Sequence, residues 1–163
     1  MLQSALLLKY EGFGTMYRIL FVCHGNICRS TMAQFVMEDL VRRAGRGAEF
    51  TIDSAATSTE ELGNPPHPGT VRVLNRAGVP VGEHRARQVR RAEYDDWDLI
   101  VYMDAENARG LKRILKDDPA GKCRPLLSFA GENRDVADPW YTGDFDATYR
   151  DVLAGCEGLL EQL

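Results

Sequence analysis

No stretch of the 163 residues approaches the roughly 20 consecutive apolar residues that a membrane-spanning helix needs. Neither sign of charge dominates. With 20 Lys and Arg against 24 Asp and Glu, the net charge is −4, which excludes the broad basic surface used to hold nucleic acid or an anionic membrane. Histidine is scarce, at three, and the four cysteines (Cys23, Cys28, Cys123, Cys156) form no CxxC pair and no Cys/His set with zinc spacing. A structural metal is therefore not expected, and a reducing cytosol is the simpler setting. The first fifteen residues carry one short apolar cluster, Ala5 to Leu8, without a basic region or a small-residue cleavage site, so a secretory signal is not expected. Met16 reads as an alternative start. Residues 1 to 15 read as a poorly ordered extension before one domain spanning 16 to 163, a length sufficient for a full core. There is no internal repeat, low-complexity segment or interdomain linker.

What is present is alternation. Strand-like apolar runs at Ile19 to Val22, Phe50 to Asp53, Leu99 to Met103 and Pro125 to Leu127 are separated by segments with helical spacing. The helical segments are Met32 to Ala44, Thr70 to Ala77, Ala105 to Lys116 and Phe145 to Glu161. This order predicts an α/β fold, a parallel sheet covered by helices on both faces. In such sheets ligands bind beyond the carboxyl ends of the strands, where strand order reverses. The first strand ends at Cys23.

Cys23 opens the stretch Cys23-His24-Gly25-Asn26-Ile27-Cys28-Arg29-Ser30, which joins that strand to a helix start. A free thiol has a pKa of about 8.5 and is mostly protonated at neutral pH, so a cysteine nucleophile needs help to ionise. Successive loop amides, the positive end of the following helix and Arg29 can all supply it. The same groups suit a phosphate dianion, for which Arg29 offers a planar fork to two oxygens. Gly25 permits the turn, Asn26 is placed to pin the loop by bonds to backbone, and Ser30 can donate its hydroxyl to the sulfur. Cys-x5-Arg alone also describes a buried structural cysteine before a helix. Gly25, Asn26 and Ser30 favour a phosphate cradle, with phosphatase and reductase chemistry both open at this point.

Val22-Cys23-His24-Gly25-Asn26-Ile27-Cys28-Arg29-Ser30 resembles the signature loop of the low-molecular-weight protein tyrosine phosphatases. The resemblance continues through Asp53-Ser54-Ala55, His84-Arg85-Ala86-Arg87-Gln88, Asp98 to Asp104 and Asp138-Pro139-Trp140-Tyr141, and so covers about residues 17 to 162. It implies a three-layer sandwich with a four-stranded parallel sheet and a phosphate-binding loop after the first strand. It implies hydrolysis of phosphotyrosine monoesters through a cysteinyl-phosphate, with no metal and no organic cofactor. Expected partners are phosphotyrosine proteins, with inorganic phosphate or other oxyanions in the loop, and neither nucleic acid nor membrane. Cys23 is the expected nucleophile, Arg29 the oxyanion ligand and Asp138 the acid and base. His24, Gly25, Asn26, Ile27, Cys28 and Ser30 are the expected phosphate contacts, with Trp140 and Tyr141 as walls for the substrate ring. Ser54 and His84 are expected to brace the loop, and Arg87 and Asp104 to make structural polar contacts nearby. An Asp-Pro is ordinarily a turn, and Asp118-Pro119 is a second one. The resemblance selects Asp138, whose aromatic neighbours Asp118 lacks.

Two departures from the family pattern stand out. Thr31 occupies the usual proline position at the helix start, with a small loss of rigidity expected. Glu60, followed by Glu61, stands where many relatives carry an aromatic crevice residue, so acidic phosphopeptides are expected to be disfavoured. Arsenate reductases of the same family need further thiols around residues 84 to 92, and none is present. A protein-arginine phosphatase would carry threonine in place of Ile27. A non-catalytic phosphotyrosine-binding or redox-sensing module would be expected to lose Cys23, Arg29 or Asp138, and all three remain.

Overall fold

Residues 16–163 are described in a computed structural model, and the N-terminal extension expected for residues 1 to 15 lies outside the described residues. β1 (Tyr17–Cys23) pairs in parallel with β2 (Phe50–Ala56) on one side and with β3 (Leu99–Tyr102) on the other. β4 (Cys123–Pro125) continues the parallel sheet beyond β3. Among the described residues, five α-helices accompany it: α1 (Arg29–Arg43), α2 (Pro68–Arg76), α3 (Ala105–Leu115), α4 (Pro139–Thr142) and α5 (Phe145–Glu161).

The strand order β2-β1-β3-β4 places β1 where the chain's direction of travel across the sheet reverses. The chain leaves β1 for the β2 edge, then crosses back to lay β3 on the other side. A crevice opens beyond the carboxyl ends of β1 and β3, as this topology dictates.

Both faces of β1 are covered, which is why its sequence is a run of apolar residues rather than an alternation. Ile19, Phe21 and Cys23 pack with Met32, Phe35 and Val36 of α1 and with Val152, Cys156 and Leu159 of α5. Leu20 and Val22 point the other way, onto Val89, Trp97 and the α3 residues Leu111 and Leu115. The result is the expected three-layer sandwich. Burying side chains of this size contributes about 1.5–3 kcal/mol each.

The fourth strand lies earlier than the apolar pattern predicts. Pairing ends at Pro125, and Leu126 and Leu127 begin a 3₁₀ turn, Leu126–Ala130, instead of finishing a strand. Both leucines are buried regardless. Their apolarity reports contact with α5, which comes close because Gly155 and Gly158 have no side chain. A Cβ at Gly155 would lie 2.4 Å from Leu126 Cγ, and one at Gly158 would lie 2.2 Å from the Phe129 carbonyl oxygen. Three further short elements have no counterpart in the apolar pattern, the 3₁₀ helices Gly47–Glu49 and Arg91–Asp96 and the single-turn α4.

Candidate active site

The loop from Cys23 to Arg29 is held from behind by Asn26, which has φ 61° and is fully buried. Asparagine is among the few residues that tolerate this left-handed conformation. Its Nδ2 donates to Ser30 Oγ at 2.8 Å and to Ser54 Oγ at 2.9 Å. Its Oδ1 accepts from the Arg87 amide at 3.2 Å and faces His84 Nε2 at 2.8 Å. Asn26 therefore pins the loop chiefly to other side chains, with a single backbone partner, rather than to backbone as expected.

The hydrogen-bond network assigns its own directions. Ser54 Oγ donates to Gln34 Oε1 at 2.6 Å, so it receives from Asn26. Because Asn26 Oδ1 only accepts, His84 Nε2 carries the hydrogen. Burial works against charge on His84, with a smaller opposing pull from Asp53 and a push from Arg87, and holds its pKa below the usual value. A protonated Nε2 satisfies the contact with Asn26, while Nδ1 faces Asp53 Oδ1 at 3.7 Å. Ser54 and His84 both meet the loop through the Asn26 side chain.

Ser30 Oγ accepts from Asn26 Nδ2 and from the Cys23 thiol, 3.0 Å away, and its own hydrogen can turn to the sulfur once the thiol ionises. The Asn26 amide also donates to that sulfur at 3.3 Å. α1 begins directly after Cys28 with no side-chain cap and no acidic residue in its first turn, so nothing there cancels the positive end of the helix dipole. Thr31, in the usual proline position, bonds through Oγ1 to the Cys28 carbonyl at 3.1 Å and restores a local tie.

Arg29 is 3% exposed, and its fork is fixed on two sides. Nη1 lies 2.8 Å from Asp104 Oδ2 and donates to the Val136 carbonyl at 3.2 Å, while Nη2 lies 3.3 Å from Asp138 Oδ2. Burial opposes its charge, but Cys23, Asp104 and Asp138 together outweigh that and raise its pKa. Asp104 is itself oriented by Asn107, whose amide donates to Asp104 Oδ1 at 2.7 Å. The sequence marks Asp104 as a structural contact, whereas its grip on Arg29 becomes visible only when β3 delivers it beside α1. Asp138 caps α4, its Oδ1 accepting from the Trp140 amide at 3.0 Å, so one carboxylate both starts that turn and meets Arg29.

Cys23, Arg29 and Asp138 line one crevice of about 630 Å³, together with His24, Gly25, Ile27, Cys28, Trp140 and Tyr141. Asn26 and Ser30 do not line it with their side chains, which are buried behind the loop. Trp140 and Tyr141 stand 66% and 82% exposed at its mouth. Cys28 is buried, and that burial, with the Cys23 and Asp138 charges adding to it, pushes its thiol up to about 12. It rests as a neutral thiol. Asp118 lies elsewhere, closing its own loop by accepting from the Tyr94 hydroxyl and from the Lys122 amide at 2.8 Å. Glu106, Asn107 and Asp135 also line the crevice and were not singled out from sequence, although the Asp104-x-x-Asn107 spacing at a helix start is a legible capping signal. Among the described residues, no group of three or more His, Cys, Asp or Glu is arranged to hold a metal ion, and no helix is long and apolar enough to cross a membrane.

A buried guanidinium at the floor of the crevice, next to a thiol served by a hydroxyl and an amide, is built to receive an oxyanion. That defines an α/β enzyme of the cysteine-phosphatase class. The chain belongs to the low molecular weight phosphotyrosine protein phosphatase family, whose model matches residues 18–163. It is 39% identical to the low molecular weight protein-tyrosine-phosphatase YfkJ of Bacillus subtilis, over 91% of this chain and 96% of that protein. The crystal structure of YfkJ superposes with a TM-score of 0.87, covering 92% of this chain and 96% of that one. The low molecular weight protein-tyrosine-phosphatase PtpA of Staphylococcus aureus is 36% identical over 91% of this chain and 94% of its own. Wzb of Vibrio vulnificus, solved in complex with benzylphosphonate, is 25% identical with a TM-score of 0.80, over 91% of this chain and 99% of that one.

Proposed function

We propose that this phosphatase hydrolyses phosphotyrosine in proteins through a cysteinyl-phosphate intermediate, with residues 16–163 acting as one catalytic domain in a reducing cytoplasm. The observation that carries the reading is the convergence of Cys23, Arg29 and Asp138 on one crevice. The four thiols of the chain, all free, suit the compartment.

In the first step the Cys23 thiolate attacks phosphorus in line, and the bond to the phenolic oxygen breaks. Arg29 and the loop amides hold the equatorial oxygens, where the transition state carries its charge. The phosphoryl group replaces Asp138 on the Arg29 fork. Asp138, released from Arg29, takes up a proton from solvent and gives it to the departing phenolate. In the second step Asp138 takes a proton from water as that water attacks phosphorus, and the sulfur leaves as thiolate. The Ser30 hydroxyl, 3.0 Å from Sγ, turns its hydrogen to the sulfur and stabilises that leaving charge. Trp140 and Tyr141 flank the ring, and Ile27 suits a flat aromatic substrate. Binding of benzylphosphonate by a relative of similar fold supports a phosphate-like ligand in the loop.

The test is p-nitrophenyl phosphate turnover with rapid quench and mass spectrometry of the Cys23 peptide. Turnover unaffected by chelator, a phosphoryl adduct on Cys23 and no turnover by Cys23→Ser are expected. The Asp138→Ala variant should lose about 10²- to 10³-fold on esters with poor leaving groups and much less on activated ones. Equal losses on both would make Asp138 structural, and absence of turnover would sink the phosphatase reading.

A further inference from the structure

Four carboxylates, those of Glu60, Glu61, Glu106 and Asp135, line the crevice above the Arg29 floor. After β2 the chain runs back along the cysteine loop, where the Thr57 amide donates to the Cys23 carbonyl at 2.9 Å and the Ser58 amide to the His24 carbonyl at 3.0 Å. α3 braces this segment from outside, because Gly110 leaves room for Thr57. A Cβ at Gly110 would lie 2.8 Å from Thr57 Cβ.

Glu60 and Glu61 are thereby held over the mouth. Glu61 lies directly against Gly25, where an added Cβ would come within 3.3 Å of Glu61 Cγ, and its Oε2 accepts from Asn64 at 2.6 Å. Glu60 Oε2 sits 3.0 Å from His24 Nε2. Glu106, in the first turn of α3, and Asp135, whose Oδ1 accepts from the Ala105 amide at 3.3 Å, line the same crevice. Among the described residues, the basic side chains lining it are Arg29, already committed to Asp104 and Asp138, and His24, beside Glu60.

The field at the mouth therefore reverses between floor and rim. The floor attracts the phosphoryl dianion at contact distance, while the rim repels negative charge on whatever the phosphotyrosine is attached to. We infer that Glu60, Glu61 and Glu106 are specificity-determining residues, and that the preferred substrates are phosphotyrosines flanked by Lys or Arg. Acidic flanks are rejected by like-charge repulsion across a narrow opening. The inference rests on the phosphatase reading and adds the chemical class of the substrate segment. His24 pairs with Glu60, and Trp140 stands exposed in the same crevice, so charged and aromatic groups at the opening select different things. The aromatic groups take the ring, and the acidic groups take the charge next to it.

The experiment compares kcat/KM for two phosphotyrosine peptides of equal length, one flanked by arginines and one by glutamates, with p-nitrophenyl phosphate measured alongside. At low ionic strength the arginine peptide should be favoured about tenfold or more, falling to about twofold in 0.5 M salt, where exposed charges are screened. In Glu60→Gln/Glu61→Gln/Glu106→Gln the ratio should fall toward one. The ratio is taken within each enzyme, so changes in folding or overall turnover cancel. Equal kcat/KM for the two peptides at low salt, or a ratio unmoved by the triple substitution, overturns the inference while p-nitrophenyl phosphate is still hydrolysed. No turnover of p-nitrophenyl phosphate overturns the phosphatase reading and this inference with it.

Discussion

The cysteine loop and the rim above it lie within one crevice and are built on opposite principles. Asn26, Ser30, Ser54 and Arg29 are buried, and each is held by hydrogen bonds or ion pairs to other fixed groups. Trp140, Tyr141 and Glu60 are exposed and make few contacts. The contrast follows from what each region has to do. Stabilising a transition state requires donors held in place before the reaction, because reorganising them during it would cost much of the benefit. Choosing among protein surfaces tolerates mobile side chains, since charge acts over several ångströms.

If this division is right, substitutions in the loop should alter the chemistry and substitutions at the mouth should alter recognition. The largest expected effect is that of Arg29→Lys. A lysine keeps the charge but loses the fork that spans Asp104, Asp138 and the phosphoryl oxygens, so kcat should fall by about 10²- to 10³-fold on every substrate, peptide or not. A loss confined to peptides would erase the distinction between floor and rim. Next in size, Trp140→Ala should raise KM for phosphotyrosine peptides by about tenfold or less, through lost contact with the ring, while leaving the rate at saturation nearly intact. A fall in kcat equal to that of Arg29→Lys would show that the wall takes part in the chemistry.

The smallest effect concerns the brace behind the loop. His84 has a folded-state pKa below its ordinary 6.5, so the unfolded chain binds the extra proton first as the solution is acidified. Its contribution to stability is complete above about pH 6.5 and is lost as pH falls through the lower folded value. Melting temperatures of the parent protein and of His84→Gln should therefore converge as pH drops from 7.5 to 5. A difference that stays constant across that range would mean that the ring's protonation does not matter to the loop.

Much of this was legible in the chain, though unevenly. The cysteine loop could be read because its chemistry is local: seven consecutive residues carry the thiol, the glycine, the asparagine and the arginine. Ser54 and His84 could be reached only by resemblance, since 28 and 58 residues separate them from Asn26 and nothing in their own surroundings announces the contact. The fourth strand was misplaced because Leu126 and Leu127 are apolar for the sake of α5, and apolarity alone does not say which neighbour a residue is buried against. Glu93 shows the same limit in reverse. A charged residue in a polar stretch is buried at 3% exposure, receiving Arg87 on two nitrogens and the Trp97 indole.

The sequence by itself determined the class of the fold and the presence of an oxyanion loop carrying a thiol, because hydrophobic periodicity and a contiguous motif are both local properties of a chain, while the choice of hydrolysis over reduction came from resemblance along the whole chain. Only the tertiary structure decided how Arg29 is held, since Asp104 and Asp138 are 75 and 109 residues away from it and meet it through the β1–β3 pairing and the turn of α4. Only the tertiary structure also gathered Glu60, Glu61, Glu106 and Asp135 around one opening. The charges were always present in the sequence, but the sign of the field at the mouth depends on their distances in space.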